Sequence, residues 1–150
     1  MSKPQPLAAL ALLGSLAGLG VSIYLTLNHY AQVPLVCNLS GFSCERVLTS
    51  PYATLPLFAW PTAAAGVLFF LSNSLLLALL AFPQATGVPS SRLFKVALAW
   101  AGLGLLFVLG LVYIEVVVIG AICLWCTAVH VLVVLGFLLL IYQRSSSPLA

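Results

Sequence analysis

Residues 96–142 form a long apolar stretch in which Glu115 and His130 are the only Asp, Glu, Lys, Arg or His side chains. A single helix of this length would measure about 70 Å, more than twice the roughly 30 Å thickness of the hydrocarbon core of a bilayer. The stretch must therefore fold back once, and Gly120 is the predicted break because glycine interrupts helices. Such a stretch indicates a protein that lies in a membrane.

Charged side chains are scarce throughout the chain, at 5% of its 150 residues, whereas hydrophobic residues make up 63%. A soluble domain carries roughly 25% charged residues, so 5% is too few to cover a water-facing surface. Because about 20 apolar residues cross a bilayer, the sequence predicts four crossings, at about residues 7–28, 60–82, 93–119 and 121–143. We expect an all-α integral membrane protein, a four-helix bundle that forms one domain without a fused thioredoxin domain.

Basic residues are distributed unequally between the two ends of this bundle. Lys3, Arg92, Lys95 and Arg144 fall at the end that carries both termini, and Arg46 falls at the other end. Because Lys and Arg accumulate on the cytoplasmic side, we expect both termini in the cytoplasm and the protein in the cytoplasmic (inner) membrane. The basic residues are scattered near helix ends, so they give no reason to expect nucleic-acid binding.

The first predicted crossing is longer than the apolar region of a signal peptide, and no convincing small-residue cleavage site follows it. We therefore predict an uncleaved first helix. Gly14 and Gly18 within it form a G-x-x-x-G pair, which favours the close approach of a neighbouring helix.

A polar connection, residues 28–56, joins the first two crossings on the outer side. Residues 43–49 are predicted to form a short helix that is capped by Ser43 and ends before Pro51. Its apolar residues Val47 and Leu48 are expected to rest on the bundle as a lid.

All four cysteines are predicted to lie on the outer face, where disulfides persist. Cys37 and Cys44 fall in the polar connection, and Cys123 and Cys126 form a C-x-x-C motif at the start of the fourth helix, where the helix dipole favours a thiolate. A c-type haem is not indicated, because Thr127 stands where that motif needs His. Two structural disulfides, a four-cysteine zinc site with unusual ligand spacing, and a redox relay between the pairs remain as interpretations.

Three segments of the sequence form a specific pattern. They are Cys37-(x6)-Cys44-Glu-Arg-Val-Leu-Thr-Ser50-Pro-Tyr-Ala, Leu55-Pro-Leu-Phe58 and Cys123-Leu-Trp-Cys126. This pattern, within residues 37–130, resembles the vitamin K epoxide reductase family, and most of all its bacterial, thiol-oxidising branch. The resemblance implies that Cys37 and Cys44 exchange with a partner and that Cys44 passes electrons to Cys123. It also implies that Cys126 faces a quinone.

The resemblance further implies a quinone site beside Cys126. Ser50 matches a family Ser or Thr near the quinone, and a turn hydroxyl before Pro51 is the alternative interpretation. His130 stands where the vertebrate enzymes carry Tyr, and its imidazole is a candidate for bonding a quinone carbonyl or another helix. Four aromatic residues are candidates for lining a ring-shaped pocket or for the interfacial belt: Phe58, Trp60, Tyr113 and Trp125. Glu115, near the outer end of the third crossing, is a candidate for accepting protons during quinone reduction or for an interfacial carboxylate, and His29 is expected to be an interface residue.

The activity implied by the resemblance is that of a membrane thiol–disulfide oxidoreductase. Its electron acceptor would be a quinone such as ubiquinone or menaquinone, and its protein substrate a separate thioredoxin-fold, DsbA-like protein outside the cytoplasm. No metal is expected. The alternatives are the reduction of vitamin K epoxide by the same relay, and a non-catalytic four-crossing protein whose disulfides only staple the outer loop.

Overall fold

The computed structural model describes residues 6–33, 35, 37, 40–55, 60–82 and 89–146. Its helices are α1 (Pro6–Ala31), α2 (Cys44–Leu48), α3 (Thr62–Ala81), α4 (Ser90–Tyr113) and α5 (Leu124–Ser146). A π-helical segment, Ile114–Ile119, continues α4. A 3₁₀ turn, Pro51–Ala53, follows α2 and leads into a short antiparallel ribbon of β1 (Thr54–Leu55) and β2 (Trp60–Pro61).

Four helical segments are long and apolar enough to cross a membrane: Pro6–Ala31, Thr62–Ala81, Ser90–Ile119 and Leu124–Ser145. Many of their large apolar side chains lie on the outside of the bundle, as at Leu13 and Leu106, which are 65% and 67% exposed. An apolar surface of this extent is unfavourable in water but matches the hydrocarbon chains of lipids. The predicted all-α membrane bundle is confirmed.

The long helices run antiparallel to their neighbours around the bundle. Helix α1 packs on α3 and α5, and α4 closes the bundle by packing on the same two helices. Ala8 near the start of α1 lies in one cluster with Ala81 at the end of α3. The end of α1, the start of α3, the end of α4 and the start of α5 therefore meet at one end of the bundle. We call this the cysteine end, because it carries Cys44, Cys123 and Cys126.

Helix α1 packs tightly against α3 at Gly18. A Cβ atom at this position would collide with the ring of Phe70, which is itself almost fully buried. The other glycine of the G-x-x-x-G pair, Gly14, faces α5 more loosely, with Leu132 Cδ2 at 3.9 Å from the position of a Cβ. The predicted close approach is therefore made by one glycine of the pair.

A buried polar cluster connects the same two helices. Ser15 Oγ lies 3.1 Å from Asn73 Nδ2 and 2.9 Å from Ser74 Oγ, and it donates a hydrogen bond to the carbonyl of Phe70 at 3.3 Å. Side-chain hydrogen bonds of this kind hold helices together where the hydrophobic effect offers no preference between lipid and protein.

The chain turns at Gly120, as the sequence predicts, and this residue has the left-handed φ of 64°. Helix α5 begins at Leu124 instead of residue 121. The backbone N–H of Ala121 donates to the Glu115 carbonyl at 3.0 Å, and the N–H of Cys123 donates to the Glu115 side chain. Because both bonds are made to a residue before the turn, Ala121 and Cys123 lie outside α5.

The predicted Ser43 cap of the short helix is wrong. The Ser43 side chain makes no capping hydrogen bond to α2. Its backbone N–H donates instead to the carbonyl of Ile122 at 2.9 Å. The position of α2 is therefore fixed by the turn between α4 and α5.

Candidate functional site

The outer cysteine pair consists of Cys37 and Cys44, which are joined by a disulfide with their Cα atoms 6.2 Å apart. Cys44 is the first residue of α2 and is buried, as is Val47 one turn later, whereas Cys37 is partly exposed. Helix α2 thus packs the Cys44 side chain against the bundle, while Cys37 lies nearer the surface.

The inner pair, Cys123 and Cys126, is reduced and lies at the start of α5. Cys123 Sγ accepts the backbone N–H of Cys126 at 3.2 Å, and the Cys123 carbonyl accepts the N–H of Thr127 at 2.9 Å. This is the geometry of a helix cap, with sulfur in place of the usual oxygen. Hydrogen bonds from the Cys126 thiol and then from its N–H lower the pKa of the Cys123 thiol, because they stabilise negative charge on sulfur.

The two pairs meet in one buried cluster. Cys44 and Val47 from α2 pack with Ala121 and Cys123, and Cys126 packs at its edge. The hydrogen bond from Ser43 to Ile122 attaches the residue before Cys44 to the residue before Cys123. The structure therefore brings together the two cysteines between which electrons have to pass in a relay.

A cavity of about 880 Å³ opens beside the inner pair. At the cysteine end it is bounded by Val47, Leu48 and Cys126, and it extends along the π-helical segment and α4 from Ile119 to Trp100. The part within α4, from Leu111 to Trp100, alone corresponds to about 17 Å at roughly 1.5 Å per residue. The cavity is thus long and mostly apolar, and Val47 and Leu48, the predicted lid residues of α2, line it at the cysteine end.

Ser50 and His130 line this cavity, as does Cys126. The Ser50 hydroxyl donates to the carbonyl of Val47 at 2.7 Å, so it serves as a local turn hydroxyl and also borders the cavity. His130 is buried and lies one helical turn after Cys126. These residues stand where the resemblance described above implies a quinone site.

The four aromatic candidates are distributed differently. Trp125 packs at the edge of the cysteine cluster, and its ring centroid lies 5.2 Å from that of Tyr24. Trp60 and Tyr113 are 53% and 59% exposed, and neither lines the cavity. Phe58 lies outside the described residues. The structure therefore places none of the three described aromatics in the cavity wall, which instead contains Phe69 and Trp100.

Glu115, a candidate proton acceptor or interfacial carboxylate from the sequence, lies next to the inner cysteines. It is 6% exposed and lines the cavity together with Cys126. Its Oε2 accepts the backbone N–H of Cys123 at 3.4 Å, and its carboxylate also hydrogen-bonds the Cys126 side chain. The sequence signal was an acidic residue inside an apolar stretch. Its distance from the cysteines depends on the turn at Gly120. His29 also lines the cavity.

The cysteines do not form the four-cysteine zinc site. Within the described part of the chain, which includes all four cysteines, no group of three or more His, Cys, Asp or Glu side chains is arranged to hold a metal ion. The sulfurs of Cys37 and Cys44 are bonded to each other, while Cys123 and Cys126 remain thiols.

Four membrane-crossing helices with a disulfide and a dithiol packed together at one end define a membrane thiol oxidoreductase. The model of the Vitamin K epoxide reductase family matches residues 9–141, most of the chain, and the protein belongs to this family. Among curated proteins no sequence match was found.

Proposed function

We propose that this protein oxidises the thiols of a separate thioredoxin-fold, DsbA-like protein outside the cytoplasm and reduces a quinone of the cytoplasmic membrane. The observation that carries the proposal is the position of Cys126. It borders a long apolar cavity on one side and contacts the cluster that contains Cys44 and Cys123 on the other. The site thus has access both to a soluble thiol protein and to a lipid-soluble electron acceptor.

The relay proceeds by thiol–disulfide exchange. A partner dithiol reduces the Cys37–Cys44 disulfide, and the Cys44 thiolate then attacks Cys123 in an inner disulfide, releasing Cys126. Cys37 next attacks Cys44, which restores the outer disulfide and releases Cys123. A thiol of lowered pKa leaves faster, so the hydrogen bonds that stabilise the Cys123 thiolate assist this last step. Its products are an oxidised outer pair and a reduced inner pair, the state of this structure.

The cavity supports a quinone such as ubiquinone or menaquinone as electron acceptor. Its volume of about 880 Å³ is within the roughly 300–1,000 Å³ range of ligand pockets. The buried imidazole of His130 is able to donate to a ring oxygen at the cysteine end, whereas the Ser50 hydroxyl would have to leave the Val47 carbonyl to do so. The apolar extension toward Trp100 suits an isoprenoid tail.

The sidedness of the proposal rests on charge. The end of the bundle opposite the cysteines carries Arg92, Lys95 and Arg144. The cysteine end carries Arg46, in α2. Because basic residues accumulate in the cytoplasm, this distribution supports an outer location for the cysteine end, where disulfides persist.

The test is turnover by the purified protein in lipid vesicles with a reduced thioredoxin-fold protein and quinone, followed by quinone absorbance. The wild type should oxidise the partner and reduce quinone in equal amounts. Cys126→Ser should stop quinone reduction but leave Cys37 and Cys44 able to exchange with the partner. Cys37→Ser should block exchange with the partner protein, while small dithiols should still reduce the inner pair and so sustain quinone reduction. Equal loss of both reactions in both variants would contradict the division of labour.

Two further arms separate the alternatives. Turnover of vitamin K epoxide with a dithiol, without quinone reduction, would indicate an epoxide reductase. A potential below about −300 mV for both pairs would indicate structural disulfides, which are too reducing for a quinone-driven oxidant.

A further inference from the structure

The carboxylate of Glu115 is an acidic group in direct contact with both inner cysteines and with the cavity. It accepts the backbone N–H of Cys123 at 3.4 Å and hydrogen-bonds the Cys126 side chain. Burying a carboxylate so that it is only 6% exposed, inside a membrane-crossing segment, costs free energy. Ionisable groups in such positions are therefore candidates for a function. Among the described residues, no Lys or Arg lines this cavity to neutralise it.

The backbone around Glu115 is specialised to aim this side chain. Ile114–Ile119 is π-helical, and the N–H groups of Gly120 and Ala121 both bond the Glu115 carbonyl. One inserted residue changes the direction of a helical side chain by about 100°, and π-helical segments are frequent at functional sites. The irregular turn therefore determines whether Cys123 and Cys126 come back to the Glu115 carboxylate.

We propose that Glu115 is a catalytic residue that accepts the thiol proton of Cys126 and returns it to an oxygen of the quinone. This inference rests on the proposed function, and it assigns a proton path to a reaction for which the cysteines supply only electrons. Glu115 is suited to the task because it contacts the reacting sulfur and borders the cavity that receives the ring.

The step oxidises the inner dithiol and reduces the quinone by two electrons. The S–H bonds of Cys123 and Cys126 break, an S–S bond forms between them, and the two sulfurs lose two electrons. The quinone gains these electrons and two protons and becomes a hydroquinone. One proton travels from Cys126 through the Glu115 carboxylate to a ring oxygen, and the Cys123 proton reaches the other oxygen through water at the cysteine end. Glu115 ends the step ionised, as it began.

The decisive variant is Glu115→Gln, because the Gln side-chain oxygen can still accept the N–H of Cys123 but cannot carry the proton. General acid–base groups contribute at least about 100-fold to a rate. We expect kcat for quinone reduction to fall about 100-fold with KM for quinone unchanged, and Glu115→Asp to recover part of the loss. Exchange between the partner and Cys37–Cys44 should keep its wild-type rate in both variants.

Redox-difference infrared spectroscopy gives a readout that does not require turnover. Oxidation of the inner dithiol in the wild type should transiently produce a protonated carboxyl band, and Glu115→Gln should lack it. Wild-type kcat in Glu115→Gln, or an unchanged infrared difference spectrum, would overturn the assignment while leaving the quinone reaction intact. Absence of quinone reduction by the wild type would instead refute the proposed function, and this inference with it. A thermal melt of Glu115→Gln equal to that of the wild type excludes misfolding as the cause of a lower rate.

Discussion

The backbone N–H of Ser43 donates a hydrogen bond to the carbonyl of Ile122 at 2.9 Å. Ser43 precedes Cys44 and Ile122 precedes Cys123, so one backbone contact holds together the two cysteines that exchange in the proposed relay. The same contact attaches α2, whose buried Val47 lines the cavity, to the turn before α5. The predicted lid helix and the turn that carries Cys123 are therefore joined directly.

The first prediction concerns the meeting of Cys44 and Cys123. When Cys37 and Cys126 are both replaced by Ser, the remaining two cysteines have only each other as partners. We expect a Cys44–Cys123 disulfide under oxidising conditions, because both residues lie in one buried cluster. Mass spectrometry of unreduced peptides detects it. Free thiols at both positions would show that the outer pair does not reach the inner pair.

The second prediction tests the contact between Ser43 and Ile122 in that double variant. Ser43→Pro removes the N–H donor, and proline cannot adopt the observed φ of −134°. We expect several-fold slower formation of the Cys44–Cys123 disulfide. Ser43→Ala is the matched control, and it should react at the parent rate because the Ser43 side chain makes no capping bond. Equal rates in the two variants would show that the hydrogen bond between Ser43 and Ile122 does not assist the approach of Cys44 to Cys123.

The third prediction compares two glycines of α1. Gly18→Ala forces a methyl group against the buried ring of Phe70 and should lower the free energy of unfolding by about 1–3 kcal/mol. At Gly20, no atom of the described residues lies within 4 Å of the position that a Cβ would take. Gly20→Ala should therefore leave stability unchanged or raise it by up to about 1 kcal/mol. Unfolding in detergent measures both.

A compensating substitution sharpens this comparison. Adding Phe70→Leu to Gly18→Ala shortens the opposing side chain and should recover part of the lost stability. Identical stabilities of Gly18→Ala and Gly20→Ala would mean that α1 does not pack tightly against Phe70 at Gly18.

The fourth prediction concerns orientation in the membrane. A reporter that is active only outside the cytoplasm should be active when inserted near Gly41 and silent when fused after Arg144. The reason is the excess of basic residues at the end of the bundle that carries the termini. A fusion in the connection between α3 and α4 should also be silent, and activity there would invert the proposed topology.

The sequence by itself determined the number of crossings, the break at Gly120 and the presence of all four cysteines at one end. These properties follow from hydropathy, helix length and an even number of crossings, which are local or countable. The C-x-x-C spacing likewise predicts that Cys123 and Cys126 share the first turn of a helix, and the structure shows the hydrogen bond between them.

Only the tertiary structure decided which residues surround the cysteines. Glu115 contacts them because the π-helical segment and the Gly120 turn bring Cys123 back to its side chain, and no hydropathy pattern encodes that path. The exposure of Trp60 and Tyr113, in contrast to the burial of His130, depends in the same way on how each helix is turned about its axis. Helix rotation in a membrane is set by contacts such as Gly18 against Phe70, which join residues far apart in the chain.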